Sequence, residues 1–197
     1  AFHAEAGLNY TLHKPLGTVG VISPWNLPLY LLTWKIAPAL AAGNCVIAKP
    51  SEITPMSASL LAEVCISIGL PAGVLNIIHG LGETVGRALV EHPDVQAISF
   101  TGSTRVGRAI AMECARTFKK VTLEMGGKNP AIVFEDAPSH NLIADIVRLG
   151  FQNSGQICLC GSRILVQASI YERFRADFLR HLETLVVGDP NDPTTRL

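Results

Sequence analysis

The sequence predicts an α/β fold: a Rossmann-like parallel sheet followed by the start of a second α/β domain. Short apolar or β-branched runs alternate with segments of helical length along most of the 197 residues. Apolar residues make up 48% of the chain and charged residues 16%, which is enough apolar surface for a sizeable buried core. Gly126–Gly127 follow a predicted strand, and we place the boundary between the two domains there.

The predicted strands are short runs rich in valine, isoleucine and other apolar residues, bounded by glycine, proline or polar residues. Segments of helical length separate most of them, which is the layout of repeated βα units. The strands cover Gly17–Ile22, Cys45–Ala48, Val74–Ile78, Ala97–Phe100, Val121–Glu124, Ala131–Phe134 and Arg163–Gln167.

The predicted helices are marked mainly by their ends. Leu27–Ala42 has helical length and stops at Gly43. Thr54 is a typical N-cap with Pro55 as the first helical residue, and Gly69 is a typical C-cap. Further helices are expected after Gly86, after Gly102–Ser103, over 141–151 and around Ile170–Leu182.

The last predicted helix is amphipathic. Ile170, Phe174, Phe178 and Leu182 recur at every fourth residue, which places them on one helical face. Because the second domain begins a sheet that this sequence does not complete, we expect that face to be exposed in the isolated chain.

Composition argues against several functional classes. The formal net charge is zero, so no basic surface suggests binding to nucleic acid or to an anionic membrane. No apolar run reaches the ~18 residues that a membrane span needs, because Lys35 and two prolines interrupt Leu27–Ala42. We therefore expect neither a nucleic-acid partner nor a membrane partner.

The cysteines indicate the redox setting of the protein, and the chain ends indicate that the sequence is part of a longer protein. Five cysteines at scattered spacings argue against a disulfide framework, and Cys158-x-Cys160 is not a zinc or redox spacing. A reducing, cytoplasmic setting without a metal site fits this pattern best. The chain starts at Ala1 without a methionine and ends abruptly at Leu197, and we interpret it as an internal piece of a longer protein.

A glycine motif lies between a predicted strand and a predicted helix. Gly80-x-Gly82-x-x-x-Gly86 would let the backbone approach a phosphate group at the start of a helix. Its spacing is one residue longer than the usual dinucleotide fingerprint. An ordinary glycine turn is the alternative interpretation.

Lys49 and Glu52 follow the second predicted strand. Ligands of open α/β sheets bind at the carboxyl ends of strands, where an acidic residue can accept hydrogen bonds from a ribose 2′-hydroxyl. The same carboxylate would repel a 2′-phosphate. The alternative is that Glu52 is a solvated loop charge.

Cys158 lies just past a helix and after Gly155, which can make a tight turn. A cysteine nucleophile needs access and a depressed pKa, and a buried structural cysteine is the competing interpretation. A cysteine–histidine hydrolase is also conceivable, although no histidine is suggestively placed. Glu124, at a strand end beside Gly126–Gly127, is a candidate general base, and the Asn26 amide is a candidate oxyanion donor.

Five motifs occur along the chain in a fixed order. They are Pro24–Trp25–Asn26-x-Pro28, Lys49–Pro50–Ser51–Glu52, Phe100–Thr101–Gly102–Ser103, Leu123–Glu124-x-Gly126–Gly127–Lys128 and Gly155–Gln156-x-Cys158. Taken in order, these motifs resemble the aldehyde dehydrogenase superfamily over essentially all 197 residues. Within it, the segments Ser23–Tyr30, Thr33–Lys35 and Ile157–Cys160 most resemble the muconic semialdehyde dehydrogenases, the 2-aminomuconate and 2-hydroxymuconate enzymes.

The resemblance implies catalytic roles for four residues. Cys158 matches the nucleophile, and Asn26 together with the Cys158 N–H matches the oxyanion hole. Glu124 matches the general base, and Lys35 matches a lysine that assists proton transfer.

The resemblance also implies NAD as the cofactor. Lys49 and Glu52 match the ligands of the adenosine ribose, and Gly82 and Ser103 match the pyrophosphate contacts. The full set of implied cofactor-binding residues is Trp25, Lys49, Glu52, Gly82, Gly102 and Ser103.

The resemblance also implies a function for each segment of the chain. Residues 1–15 are expected to form an interdomain or oligomerisation strand, 16–126 a partial NAD-binding domain, and 127–197 the first part of a catalytic domain. The family's chain is more than twice as long, and this sequence lacks the family's downstream segment that binds the nicotinamide ribose. We therefore expect the isolated piece to turn over little substrate. A homo-oligomer, either dimer or tetramer, is expected for the full-length protein.

The implied activity is NAD-dependent oxidation of an aldehyde, possibly a muconic-type semialdehyde, to a carboxylic acid through a cysteine thioester. Three alternatives stay open on sequence grounds. They are a protein that binds NAD without turnover, a thiol esterase using Cys158, and an acylating enzyme in which coenzyme A releases the thioester. Retention of Glu124 favours hydrolysis over transfer to coenzyme A.

Overall fold

The structure is a computed structural model that describes residues 10–138 and 140–197. The chain divides into two compact units. The first comprises the residues up to Thr101 together with Arg108–Leu123, and the second comprises Gly102–Gly107 together with Glu124–Leu197. The functional labels given to 1–15, 16–126 and 127–197 stay predictions. Of the expected first strand, residues 1–9 lie outside the described residues, and 10–15 have no regular secondary structure.

A five-stranded sheet organises the first part of the chain. Its strands are β1 (Thr18–Ile22), β2 (Cys45–Lys49), β3 (Leu75–Ile77), β4 (Val95–Gly102) and β5 (Lys120–Met125). Their order is β3-β2-β1-β4-β5, and the pairings of β1 with β2, β1 with β4 and β2 with β3 are parallel. The predicted α/β class with a Rossmann-like parallel sheet is confirmed.

The sheet order reverses direction beside β1, because the chain builds β1, β2 and β3 outward to one side before β4 pairs on the other side of β1. In open α/β sheets, ligands bind outside the carboxyl ends of the strands at such a switch point. Ile22 pairs with both Lys49 and Phe100, so the carboxyl ends of three strands lie level at one edge.

Helices connect the strands. They are α1 (Pro28–Ala41), α2 (Met56–Ser67), α3 (Arg87–Glu91) and α4 (Thr104–Arg116), and a π-helical turn, Gly82–Gly86, leads directly into α3. The sheet residues Val21, Val46 and Ala48 pack with Leu32 and Ile36 of α1, and all five are buried.

A second buried cluster covers the other part of the sheet. Leu89 and Val90 of α3 pack with Ile98 and Phe100 of β4, and Cys114 of α4 joins them. The two clusters give the first unit apolar cores that hold the carboxyl edge of its strands in place.

The second unit contains a two-stranded parallel sheet and two helices. The strands are β6 (Asn129–Val133) and β7 (Gly161–Val166), and the helices are α5 (Leu142–Phe151) and α6 (Tyr171–Leu182). Short 3₁₀ turns, Gln152–Gly155 and Ala168–Ile170, lie between them.

The expectation of an exposed apolar face on the last helix is wrong. Phe174 is buried in a cluster with Val133 of β6 and Ile146 of α5, and Ile170 and Phe178 pack against that cluster. The rings of Phe174 and Phe178 stack at a centroid distance of 5.8 Å. The unit buries this face on its own two strands and on α5, so completion of a larger sheet is not needed to cover it.

The start of α2 also differs from the prediction. The helix begins at Met56 with Pro55 as its N-cap, and no side chain of residues 10–138 and 140–197 caps it by a hydrogen bond. Thr54 precedes the cap, and its hydroxyl is buried without a hydrogen-bond partner among the described residues. At the other end, Gly69 adopts a left-handed φ of +79°, as expected for the residue that ends the helix.

Two negative findings apply to residues 10–138 and 140–197. None of their helices combines the length and apolar composition that crossing a bilayer requires. None of their His, Cys, Asp and Glu side chains form a group of three or more that could hold a metal ion.

Candidate active site

Lys49 and Glu52 form an ion pair at the carboxyl end of β2. The Lys49 ammonium nitrogen lies 3.3 Å from Oε2 of Glu52 and donates to the carbonyl oxygen of Pro50 at 2.8 Å. Lys49 is buried, whereas Glu52 is exposed. The two predicted cofactor ligands are three positions apart in the chain and thus lie together, with the carboxylate facing solvent.

The pKa of the Glu52 carboxyl is lowered, and the first cause is a hydrogen bond from its own backbone N–H. Hydrogen bonding to Lys49 and its positive charge lower it further, while partial burial opposes the shift. Glu52 is therefore a carboxylate at neutral pH and can accept hydrogen bonds from a neutral hydroxyl.

The glycine motif folds differently from a simple strand–turn–helix. The N–H groups of Thr84, Val85 and Gly86 all donate to the carbonyl oxygen of Leu81, at 3.3, 3.0 and 3.4 Å, which closes the π-helical turn. Such turns are rare and occur frequently at functional sites.

The three glycines of this motif have different environments, and each accommodates the missing side chain for a different reason. Gly80 has φ +146°, and a Cβ there would overlap the Val85 side chain, so the backbone requires glycine. A Cβ on Gly82 would meet nothing within 4 Å, so space is open at that position. Gly86 is buried, and a Cβ there would lie 3.7 Å from Cδ of Lys49, so the turn packs beside the lysine stem.

Ser23, immediately after β1, was missed by sequence reasoning. Its hydroxyl is buried and has no hydrogen-bond partner among the described residues. Its backbone N–H donates to the carbonyl oxygen of Lys49 at 3.1 Å, which continues the β1–β2 pairing past the end of the strand. A serine before a proline is typical of an ordinary loop, so the sequence gives no signal for the buried hydroxyl of Ser23, and only the structure reveals it.

Trp25 and Asn26 occupy the link between β1 and α1. Trp25 is exposed, and Asn26 is half-buried. The N-cap of α1 is Leu27, and no side chain of the described residues caps the helix by a hydrogen bond. Trp25 and Asn26 lie just before α1, on the carboxyl side of the central strand β1.

Lys35 lies in the middle of α1 and is buried. Its ammonium nitrogen donates to Oγ of Ser99 on β4 at 3.2 Å. A buried ammonium needs such polar partners, since desolvation of an unpaired charge is costly. Its proton-transfer role stays a prediction, and Ser99 is a partner that no sequence pattern indicated.

Gly102 ends β4, and Ser103 precedes α4. The Ser103 hydroxyl oxygen accepts from the N–H of Val106 at 3.3 Å, which is the geometry of an N-cap. Ser103 is exposed, so its own hydroxyl hydrogen remains available for a further acceptor.

In the second unit, Cys158 lies at the corner of a tight turn. The N–H of Cys160 donates to the carbonyl oxygen of Ile157 at 3.0 Å, which closes a four-residue turn with Cys158 and Leu159 at its corner. Cys158 is exposed, in contrast to the competing interpretation of a buried structural cysteine.

The neighbouring cysteine has the opposite environment. Cys160 is 5% exposed, and its Sγ lies 3.8 Å from the carbonyl oxygen of Gln152. In the first unit, Cys114 is also buried, and burial raises the pKa of its thiol. Of these three thiols, only that of Cys158 is presented to solvent.

Strained backbone precedes the cysteine turn. Asn153, Ser154 and Gly155 have successive φ values of 50°, 55° and 74°. Left-handed φ costs a non-glycine residue about 1 kcal/mol or more, and such strain clusters at functional sites. A Cβ on Gly155 would lie 3.3 Å from the carbonyl oxygen of Gly150, so glycine also relieves a close approach there. Gly155 was predicted to make a tight turn, whereas the two preceding left-handed residues were not.

Glu124 is the penultimate residue of β5 and is exposed. Its position, just before Gly126–Gly127, is as expected from the sequence. Its role as general base stays a prediction.

Known proteins are similar to this chain over nearly its whole length. The sequence profile described as "Aldehyde dehydrogenase family" matches residues 2–197. The 2-aminomuconic semialdehyde dehydrogenase of Homo sapiens is 54% identical over 186 residues, which are 94% of this chain and 38% of that protein. The 2-hydroxymuconic semialdehyde dehydrogenase of Pseudomonas putida is 50% identical over 187 residues, with the same two shares.

Solved structures share the fold. A crystal structure of PnpE in complex with nicotinamide adenine dinucleotide matches with a TM-score of 0.90 and 44% identity, over 93% of this chain and 38% of that one. This chain spans about 38% of the length of the curated relatives named above. The resemblance inferred from the sequence motifs is confirmed, and the chain belongs to the aldehyde dehydrogenase family.

Proposed function

We propose that the protein oxidises an aldehyde to a carboxylic acid with NAD as the oxidant and Cys158 as the nucleophile. The observation that carries this proposal is the exposed thiol of Cys158 at the corner of a closed turn, in a chain of this family. An accessible thiol that forms a covalent adduct splits a difficult oxidation into two easier steps.

Three features of the first unit fit a dinucleotide. The buried hydroxyl of Ser23 has no hydrogen-bond partner in the described part of the chain, and open space at Gly82 lets a phosphate approach the backbone. The Lys49–Glu52 pair offers an ammonium donor and a carboxylate acceptor at the carboxyl edge of the sheet, as ribose hydroxyls require. We therefore assign Lys49 and Glu52 to the adenosine ribose and Gly82 to the pyrophosphate. Ser103, Gly102 and Trp25 are assigned to the same cofactor on the family resemblance.

In the proposed reaction, the Cys158 thiolate attacks the aldehyde carbon and forms a thiohemiacetal. The side-chain amide of Asn26 and the Cys158 N–H donate to the oxyanion, and loss of one such donor typically costs ~10²-fold in rate. When bound, NAD supplies the hydride acceptor that turns this adduct into a thioester. Glu124 takes a proton from the water that attacks the thioester, and this releases the acid and the thiol. Lys35 is assigned to assist proton transfer.

A muconic-type semialdehyde is the substrate class that we propose. Support comes from identities of 54% and 50% to relatives named for 2-aminomuconic and 2-hydroxymuconic semialdehyde. The five free cysteines support a reducing, cytoplasmic setting for the full-length protein, and we propose that it is a homo-oligomer.

The test is NAD reduction by the full-length protein with a panel of aldehydes that includes a muconic semialdehyde. We expect turnover to depend on both the aldehyde and Cys158. Ester hydrolysis without NAD reduction would favour the thiol-esterase alternative. NAD binding without any turnover would favour a non-catalytic dinucleotide-binding protein, and a requirement for coenzyme A would favour the acylating alternative.

A further inference from the structure

The side chain of Asn129 connects β6 to the turn that carries Cys158. Its amide nitrogen Nδ2 lies 2.5 Å from the carbonyl oxygen of Cys158 and 3.3 Å from that of Cys160. A primary amide has two N–H donors, so one nitrogen can serve both acceptors. The opposite amide orientation would place Oδ1 against two carbonyl oxygens, which is repulsive. The two hydrogen bonds therefore fix which end of the amide faces the turn.

A bulge lies beside Asn129. Asn129 pairs with Gly161, but the next residue, Pro130, pairs with Arg163, so the register of β6 and β7 shifts by one residue here. The extra residue is Ser162 on β7, so the bulge bends the strand that leaves the cysteine turn, and bulges are common next to active sites. Proline suits this position because a bulge already interrupts the ladder of hydrogen bonds.

Two further contacts hold this region. The Arg163 guanidinium donates to the carbonyl oxygen of Lys128 at 2.8 Å, which restrains the backbone just before Asn129. A Cβ on Gly161 would come within 3.1 Å of the Leu149 side chain, so the chain after the cysteine turn packs tightly on α5. Asn129 thus projects from a restrained backbone toward a turn whose corner is otherwise exposed.

We propose that Asn129 is a positioning residue for the thiol of Cys158. The proposal rests on the proposed function, in which Cys158 is the nucleophile. A carbonyl held by hydrogen bond fixes the peptide plane after Cys158, and this restricts the directions in which its side chain can point. Attack on an aldehyde needs the reacting atoms aligned at ~3–3.5 Å, and small displacements of a nucleophile can cost ~10²-fold in rate.

The donor character of Asn129 can be separated from its shape in the full-length protein. Asn129→Asp keeps the size of the side chain but replaces the N–H donors with a carboxylate, whereas Asn129→Ala removes the contact altogether. Asn76→Ala is the matched control, because the Asn76 amide also donates to a backbone carbonyl, that of Gly73 at 2.9 Å, in the first unit. Thermal melting of every variant monitors folding.

Two measurements distinguish positioning from general stabilisation. The pre-steady-state burst of NADH reports attack by Cys158 followed by hydride transfer. Alkylation of Cys158 by iodoacetamide across pH, quantified by peptide mass mapping, reports its ionisation with little demand on orientation.

For Asn129→Ala we expect the burst rate to fall about 10- to 100-fold, with the alkylation midpoint unchanged. For Asn129→Asp we expect at least as large a fall and a higher alkylation midpoint, because a nearby carboxylate disfavours the thiolate. Asn76→Ala should leave both measurements at the wild-type values.

A wild-type burst rate in Asn129→Asp would overturn the proposal, because only the shape of the side chain would then matter. If Asn129→Ala melts far below the wild type, the burst of Asn129→Asp is compared with that of the wild type at a pH above both alkylation midpoints, and a wild-type burst rate there would also overturn the proposal. Failure of the proposed function gives a different result, since Cys158→Ala would then retain activity or the wild type would show no burst.

Discussion

The ammonium nitrogen of Lys49 lies 3.3 Å from the Glu52 carboxylate, with side-chain exposures of 3% and 47% respectively. The buried cation leaves its partner at the surface of the carboxyl edge of β2. An anion fixed at this edge is compatible with a neutral ribose hydroxyl and unfavourable for a phosphate group at the same place. We therefore expect this pair to influence the choice between NAD and NADP.

We predict a preference for NAD over NADP that Glu52→Gln weakens. Two like charges about 4 Å apart repel by about 4 kcal/mol near a protein surface, so removal of the carboxylate charge should lower the NAD-to-NADP ratio of kcat/KM by tenfold or more. Steady-state kinetics of the full-length protein with each cofactor measure this ratio. Glu63→Gln, an exposed glutamate on α2, is the control and should leave it unchanged. A wild-type ratio in Glu52→Gln would remove Glu52 from this role.

The two cysteines of the turn should respond differently to substitution. Cys158→Ala should lower dehydrogenase activity by about 10⁴-fold or more while NAD still binds, because the nucleophile is lost but the first unit is unchanged. Cys160→Ala should remain active, with at most a modest loss of stability from its buried position. Activity assays and NAD titrations check both variants. An inactive Cys160→Ala beside an active Cys158→Ala would exchange the two assignments.

Glu124→Gln should slow deacylation more than hydride transfer. The carboxylate is needed to activate water, whereas an ionised thiol can attack the aldehyde without it. A rapid burst of NADH followed by a stalled steady state is the expected stopped-flow trace. A missing burst would instead indicate that Glu124 primarily activates Cys158.

Substitution of Gly80 should affect the stability of the fold, whereas substitution of Gly82 should affect cofactor binding. Gly80→Ala forces a side chain onto φ +146° and against Val85, so a loss of about 1–3 kcal/mol of stability is expected. Gly82→Ala meets open space, so its melting temperature should change little, but its new methyl group would occupy the route of a phosphate to the backbone. We expect its NAD dissociation constant to rise about tenfold, or about 1.4 kcal/mol. Tight NAD binding by Gly82→Ala would place the pyrophosphate elsewhere.

The strands illustrate what local sequence determined. Val19, Val21 and Val46 lie in short apolar runs, and all three are buried in the first core cluster. Periodicity and glycine or proline boundaries report burial and chain reversal over a few residues. They therefore predicted each strand that the structure describes, β1 to β7, with the ends shifted by at most a few residues. The family followed from motifs that are likewise local, such as Gly155–Gln156-x-Cys158.

Tertiary structure decided the partners that these residues meet. The hydrogen bond from Lys35 to Ser99 joins residues 64 positions apart, and the hydrogen bond from Asn129 to the Cys158 carbonyl joins residues 29 positions apart. No local pattern encodes such pairs, because packing of helices on sheets and the register of distant strands bring them together. The same holds for the last helix, whose apolar face was identified correctly but whose burial against β6 and α5 depended on the packing of the whole unit. The sequence alone thus determined the element types, the family and the candidate chemistry, whereas long-range packing determined how each side chain is held.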